Sequence, residues 1–120
     1  MARPRLLLVD DEPSLADFLA SAAVASGFDP EITRDDREFR DAFLASRPDM
    51  VALDLGMPGM DGYEVARRIR ANPATRGIQL IALTGWGQDE DRQRSAAAGF
   101  NHHLVKPADV DKLRQLLSVG

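Results

Sequence analysis

Apolar positions along this chain recur with two alternating periods. Short unbroken runs, Leu6-Leu7-Leu8-Val9, Met50-Val51-Ala52-Leu53 and Ile78 to Leu83 with a single glutamine, are what strands covered on both faces require. Between the first two runs, Leu15, Phe18, Leu19, Ala22 and Ala25 recur at helical spacing from Pro13 to about Ser26, where Gly27 can end a helix in the left-handed conformation. Phe28, Pro30 and Ile32 then alternate with polar residues. That spacing predicts a second strand, and because proline cannot donate to a ladder the strand belongs at a sheet edge. Asp35 with Glu38 forms a capping box ahead of Phe39, Ala42 and Phe43, in a helix ending near Arg47-Pro48. Asp61 caps a third helix that turns Val65, Ala66 and Ile69 inward until Asn72-Pro73 breaks it. From about Gln88 to Ala98 the only apolar residues are three alanines, so a fourth helix there buries little area and should be the loosest. Gly99 ends it, His102 to Lys106 makes a last strand, and Val110, Leu113, Leu116 and Leu117 stripe a fifth helix.

Five strand–helix units with short connections predict one α/β domain over residues 1–120, a flavodoxin-like doubly wound parallel sheet in the order 2-1-3-4-5 with five helices. A barrel of eight units does not fit in 120 residues. In such sheets ligands sit outside the carboxyl ends of the strands, where the strand order reverses, here between strands one and three.

Composition removes several kinds of chemistry. With no cysteine, the chain has no disulfide framework, thiolate nucleophile or iron–sulfur cluster. A net charge of −4 lacks the basic footprint of a duplex-binding protein, so no nucleic acid is expected as a partner. No run approaches the roughly 20 apolar residues of a membrane span. These features lead to the expectation of a cytoplasmic domain with no membrane contact.

The strand ends carry the remaining chemistry. Strand one delivers Asp10 and Asp11, strand three Asp54, strand four Thr84 and strand five Lys106, all into one crevice. Carboxylates held together repel and raise one another's pKa unless a cation neutralises them, and a small oxygen-only donor set suits Mg²⁺ better than a caged Ca²⁺. An ammonium and a hydroxyl on the opposite wall are what phosphoryl oxygens require, so the set describes phosphoryl transfer to a carboxylate nucleophile. Taken singly, each residue has a plainer reading. Asp10, Asp11 and Asp61 could be helix caps, Lys106 a solvated strand-end lysine and Thr84 an ordinary strand residue; only their joint placement favours chemistry.

Taken in order, Leu8-Val9-Asp10-Asp11-Glu12, then Asp54-Leu55-Gly56-Met57-Pro58-Gly59-Met60-Asp61-Gly62, then Thr84-Gly85, then Lys106-Pro107, the chain resembles receiver domains of bacterial two-component response regulators along essentially its whole length. The resemblance implies that Asp54 is the phosphoacceptor, attacking a phosphohistidine of a histidine kinase or histidine phosphotransfer protein. Asp11, Asp54 and the Gly56 carbonyl would ligate Mg²⁺ directly and Asp10 through water, while Lys106 and Thr84 hold the phosphoryl oxygens. Such a domain catalyses its own phosphorylation and dephosphorylation without being a metabolic enzyme, and signals to a downstream protein. Thr84 would swing toward the new charge, drawing the loop and the fourth helix with it. His103 stands where these domains commonly carry a Tyr or Phe switch residue. Gly85 and Trp86 would form a loop shielding the acyl phosphate, and the Lys106-Pro107 bond is a candidate for the cis form.

The segment Ala98 to Pro107 resembles receivers of hybrid histidine kinases, which implies a phosphorelay; since the chain ends about where the fifth helix does, its output is expected elsewhere. The competing reading is a phosphorylation-independent protein-binding module with the same fold. A flavodoxin-like cofactor binder and an aspartate-dependent phosphatase fit less well, because strand one is followed by adjacent acids rather than a phosphate-cradling loop or an Asp-x-Asp pattern.

Overall fold

A computed structural model describes residues 3–85 and 89–106, together with Lys112 and Gln115. The elements are β1 Arg5–Val9, α1 Pro13–Ala25, β2 Asp29–Thr33, α2 Asp36–Ser46, β3 Met50–Asp54, α3 Gly62–Ala71, β4 Gln79–Thr84, α4 Asp89–Ala98 and β5 His102–Val105. All five strands are parallel, in the order β2-β1-β3-β4-β5. The expected topology and the edge position of the proline-bearing strand are therefore observed. Four helices lie among the described residues. The expected fifth helix falls outside them, although Lys112 and Gln115, which stand between its apolar positions, are helical and exposed.

Continuous apolar runs are explained by a sheet buried on both sides. Side chains of successive strand residues point to opposite faces, so each run divides between two cores. Leu6, Leu8, Met50, Ala52, Ile81 and Leu83 pack with Leu19, Ala22 and Ala23 of α1. Leu7, Val9, Val51, Leu53, Leu80 and Ala82 pack with Phe39 of α2, Ala66 and Ile69 of α3 and Ala98 of α4.

Local signals set the helix ends. Asp35 accepts from the Glu38 amide at 2.8 Å, and Asp61 from those of Tyr63 and Glu64 at 3.1 and 3.3 Å. Gly27 and Gly99 take positive φ just beyond α1 and α4. At Gly99 a side chain would also collide with Arg70, an ideal Cβ falling 2.5 Å from Arg70 Cγ. Arg70 in turn donates to the carbonyls of Gly99, Arg76 and Ile78 and to Asn101 Oδ1 at 2.5–2.9 Å, tying the end of α3 to the turns that lead into β4 and β5.

α4 is the thinnest part of the packing. Among its described side chains only Ser95 and Ala98 are buried, so little apolar area holds it to the sheet. Amide hydrogen exchange is expected to be fastest in Asp89 to Ala98 among the four described helices; protection there equal to that of α1 would contradict this. No helix among the described residues is long and apolar enough to cross a membrane.

Candidate functional site

Parallel pairing brings the carboxyl ends of β1, β3, β4 and β5 to one edge, and backbone hydrogen bonds run one residue past the strands to fix the groups that matter. The Asp10 amide donates to Thr33 O at 3.0 Å, the Leu55 amide to Leu83 O at 2.8 Å and the Lys106 amide to Thr84 O at 2.7 Å. The loop after Asp54 is pinned from below by Met57 and Met60, both buried in the second core. Gly62 opens α3 so close to this loop that a Cβ would lie 2.6 Å from Leu55 Cδ2.

Asp10 is fully buried and Asp54 nearly so, while Asp11 is exposed at the crevice mouth. One carboxylate oxygen from each lies within 4.8 Å of the others. Asp54 Oδ1 accepts the Gly56 amide at 2.8 Å, and Oδ2 accepts Lys106 Nζ at 2.8 Å. The same ammonium is 3.3 Å from Asp10 Oδ2. Asp10 Oδ1 accepts from the Glu12 amide at 2.9 Å, but the buried Oδ2 makes no hydrogen bond among the described residues. Thr84 is buried at the end of β4.

Burial is the main force raising the Asp10 pKa, helped by the Asp54 charge and opposed by the Glu12 amide and by Lys106. For Lys106, burial pulls the pKa down, but the hydrogen bond and charge of Asp54, with Asp10 behind them, outweigh it and the net shift is upward. Two buried carboxylates thus share one ammonium, which leaves unbalanced negative charge in the crevice. A hard divalent cation fits this set, because the donors are oxygens only and Asp10 Oδ2, 3.3 Å from an ammonium it shares with Asp54, makes no hydrogen bond among the described residues.

The plainer readings now separate. Asp61 does cap α3, whereas the N-cap position of α1 is Glu12 and carries no side-chain cap, so neither Asp10 nor Asp11 serves that purpose. Of the histidines, His103 Nδ1 lies 3.0 Å from Ser95 Oγ of α4. The expectations for Trp86 and for the Lys106-Pro107 bond lie outside the described residues; Gly85 is exposed beside Thr84. Sequence reasoning missed the neighbouring cleft of about 440 Å³, walled by Leu55, Gly56, Tyr63, Thr84, Asp91 and Arg94. Nothing in the polar pattern of α4 marks Arg94 off from Arg92.

The sequence matches the family model for the response regulator receiver domain over residues 6–118. It is 31% identical over 110 residues to the DNA-binding dual master transcriptional regulator RpaA of Synechocystis sp.; the match covers 92% of this chain and 46% of that protein, so the chain spans about half that relative's length. The signal receiver domain of a DNA binding response regulator from Colwellia psychrerythraea 34H has a TM-score of 0.91 at 30% identity, with 97% of this chain and 96% of that one covered. The receiver domain of the sensor histidine kinase PA1611 from Pseudomonas aeruginosa PAO1, solved with a magnesium ion coordinated in its active site cleft, has a TM-score of 0.83 at 29% identity, with 98% and 97% covered.

Proposed function

This chain belongs to the response regulator receiver domain family, and from that premise we propose that Asp54 accepts a phosphoryl group from a histidine kinase or a histidine phosphotransfer protein, with Mg²⁺ as cofactor. The observation that carries the proposal is the Asp54 carboxylate itself, fixed at the end of β3 by the Gly56 amide and Lys106 Nζ beside Asp10 and Asp11. Asp11, Asp54 and the Gly56 carbonyl would hold Mg²⁺ directly and Asp10 through water. When bound, the ion neutralises the carboxylates and draws the phosphoryl oxygens into the crevice.

A carboxylate oxygen of Asp54 attacks phosphorus, the phosphorus–nitrogen bond of the donor breaks, and the departing imidazole nitrogen takes up a proton. Lys106 moves from the carboxylate pair to the acyl phosphate, whose phosphoryl oxygens carry up to two charges where the carboxylate carried one and so give it a stronger partner. Thr84 and His103 are the switch residues in this reading. The hydroxyl turns to the phosphoryl oxygens, and His103 passes the change to α4 through Ser95, 3.0 Å away. The changed surface around α4 and β5 signals to a downstream protein, or the phosphoryl group moves on in a relay.

Phosphorus NMR of the domain mixed with acetyl phosphate tests the reading. An acyl-phosphate resonance that requires Mg²⁺ and is abolished by a chelator supports it. If acetyl phosphate and a panel of phosphorylated kinases all leave the protein unmodified, the phosphorylation-independent binding module becomes the better account.

A further inference from the structure

Resting on the phosphoacceptor reading, we propose that Arg94 is a phosphoryl-binding residue, parked on the ring of Tyr63 in the free protein and paired with the phosphoryl oxygens once Asp54 carries them.

The Arg94 guanidinium carbon lies 4.3 Å from the centroid of the Tyr63 ring. That ring is itself held edge-on to Phe100, with centroids 6.5 Å apart and planes at 88°. Among the described residues Arg94 makes no hydrogen bond or ion pair, and its one contact of this kind is with the Tyr63 ring. This differs from Arg40, Arg67 and Arg68, each paired with a carboxylate on its own helix, and from Arg70 with its three carbonyls. Of the described residues walling the 440 Å³ cleft, Arg94 is the only cation. The cleft abuts the phosphoacceptor, since its wall residue Gly56 donates its amide to Asp54 Oδ1.

The free state offers Arg94 no better partner. Asp10 and Asp54 are buried, and both oxygens of Asp54 are occupied by the Gly56 amide and Lys106. Asp91, one turn earlier on α4, lies on the same cleft, and among the described residues no ion pair joins it to Arg94. A phosphoryl group on Asp54 brings charged acceptor oxygens out of the buried crevice toward this wall for the first time. An exposed cation–ring contact is weaker than a bidentate guanidinium–phosphate pair, so the side chain changes partner. Because Arg94 stands on the most weakly packed helix, the exchange gives α4 a contact that exists in only one of the two states, which is what shifting a population requires.

Beryllium fluoride with Mg²⁺, a mimic of the phosphoryl group, is the probe, and the side-chain NMR signals of Arg94 are the readout. In the free protein the Arg94 methylene protons should carry an upfield ring-current shift that Tyr63→Leu removes. Adding the probe to the wild-type domain should abolish that shift and move the Nε–H signal. Arg94→Gln should bind the mimic roughly tenfold more weakly or worse, the scale of losing one charge-assisted hydrogen bond, with Arg94→Lys restoring part of the loss. If the amides around Thr84 and Lys106 respond to the probe while the Arg94 signals keep their ring-current shift and Arg94→Gln binds normally, this assignment is overturned and the phosphoacceptor reading stands. If nothing around Asp54 responds in the wild-type domain, both fall together.

Discussion

Asp10→Asn is expected to melt at a higher temperature than the wild-type domain in the absence of metal, while binding Mg²⁺ about 10–100-fold more weakly. The first half follows from a carboxylate with no exposed surface whose Oδ2 has no hydrogen bond among the described residues, beside a second buried carboxylate that competes for the same ammonium. Removing one of two buried charges that share a single ammonium is worth about 1–2 kcal/mol after allowing for the lost attraction to Lys106, or roughly 3–8 °C in a domain of this size. The effect carries a pH signature. Burial raises the Asp10 pKa above its ordinary 3.8, so the folded state holds a proton that the unfolded chain has released, and the wild type loses stability as pH climbs through that window. The advantage of asparagine therefore grows as pH rises above 3.8 toward the raised folded value and disappears below about pH 3.8. Thermal melts across pH, with and without Mg²⁺, check both halves; unchanged metal-free melting would show that the carboxylates are not in conflict.

Lys106→Ala is expected to move stability the other way. It leaves Asp10 and Asp54 side by side with no cation, and breaking a buried pair costs several kcal/mol, reduced to roughly 2 kcal/mol here because the lysine side chain keeps 21% of its exposure. The Lys106 pKa is raised above 10.5, so its contribution is fully present at neutral pH and would be lost only as pH rises through the raised folded value. The variant should retain Mg²⁺ binding and gain more melting temperature from Mg²⁺ than the wild type does, since the ion then supplies the only compensating charge. It should also fail to convert phosphorylation into movement of α4, read as loss of the phosphorylation-dependent amide shifts in Asp89 to Ala98. Loss of Mg²⁺ binding would instead make the lysine part of what holds the metal.

The strand order and the crevice were legible because two independent signals coincide. Unbroken apolar runs mark doubly covered strands, and the runs Leu6 to Val9 and Met50 to Leu53 each stop at an aspartate, which places Asp10 and Asp54 together once the sheet is parallel. Caps at Asp35 and Asp61 were legible for the same local reason, a short acid two or three residues ahead of the amides it accepts. Contacts made across the fold by long side chains were not. Arg70 reaches Asn101 and Gly99, about thirty residues away, and Arg94 finds Tyr63 on another helix; in the sequence both are ordinary charges on amphipathic or polar helices. The lone Asp10 oxygen was equally hidden, since the Asp10-Asp11 pair does not reveal which member turns inward.

The claim that Asp54 is the phosphoacceptor is tested most directly by locating the phosphoryl group. The domain is treated with Mg²⁺ and acetyl phosphate, weighed intact, then reduced with borohydride and mapped by peptide mass spectrometry alongside Asp54→Asn. A single Mg²⁺-dependent phosphoryl adduct, converted by reduction to homoserine at position 54 and absent from the variant, is the predicted result. An adduct that survives in Asp54→Asn, or that maps to another residue, would contradict it.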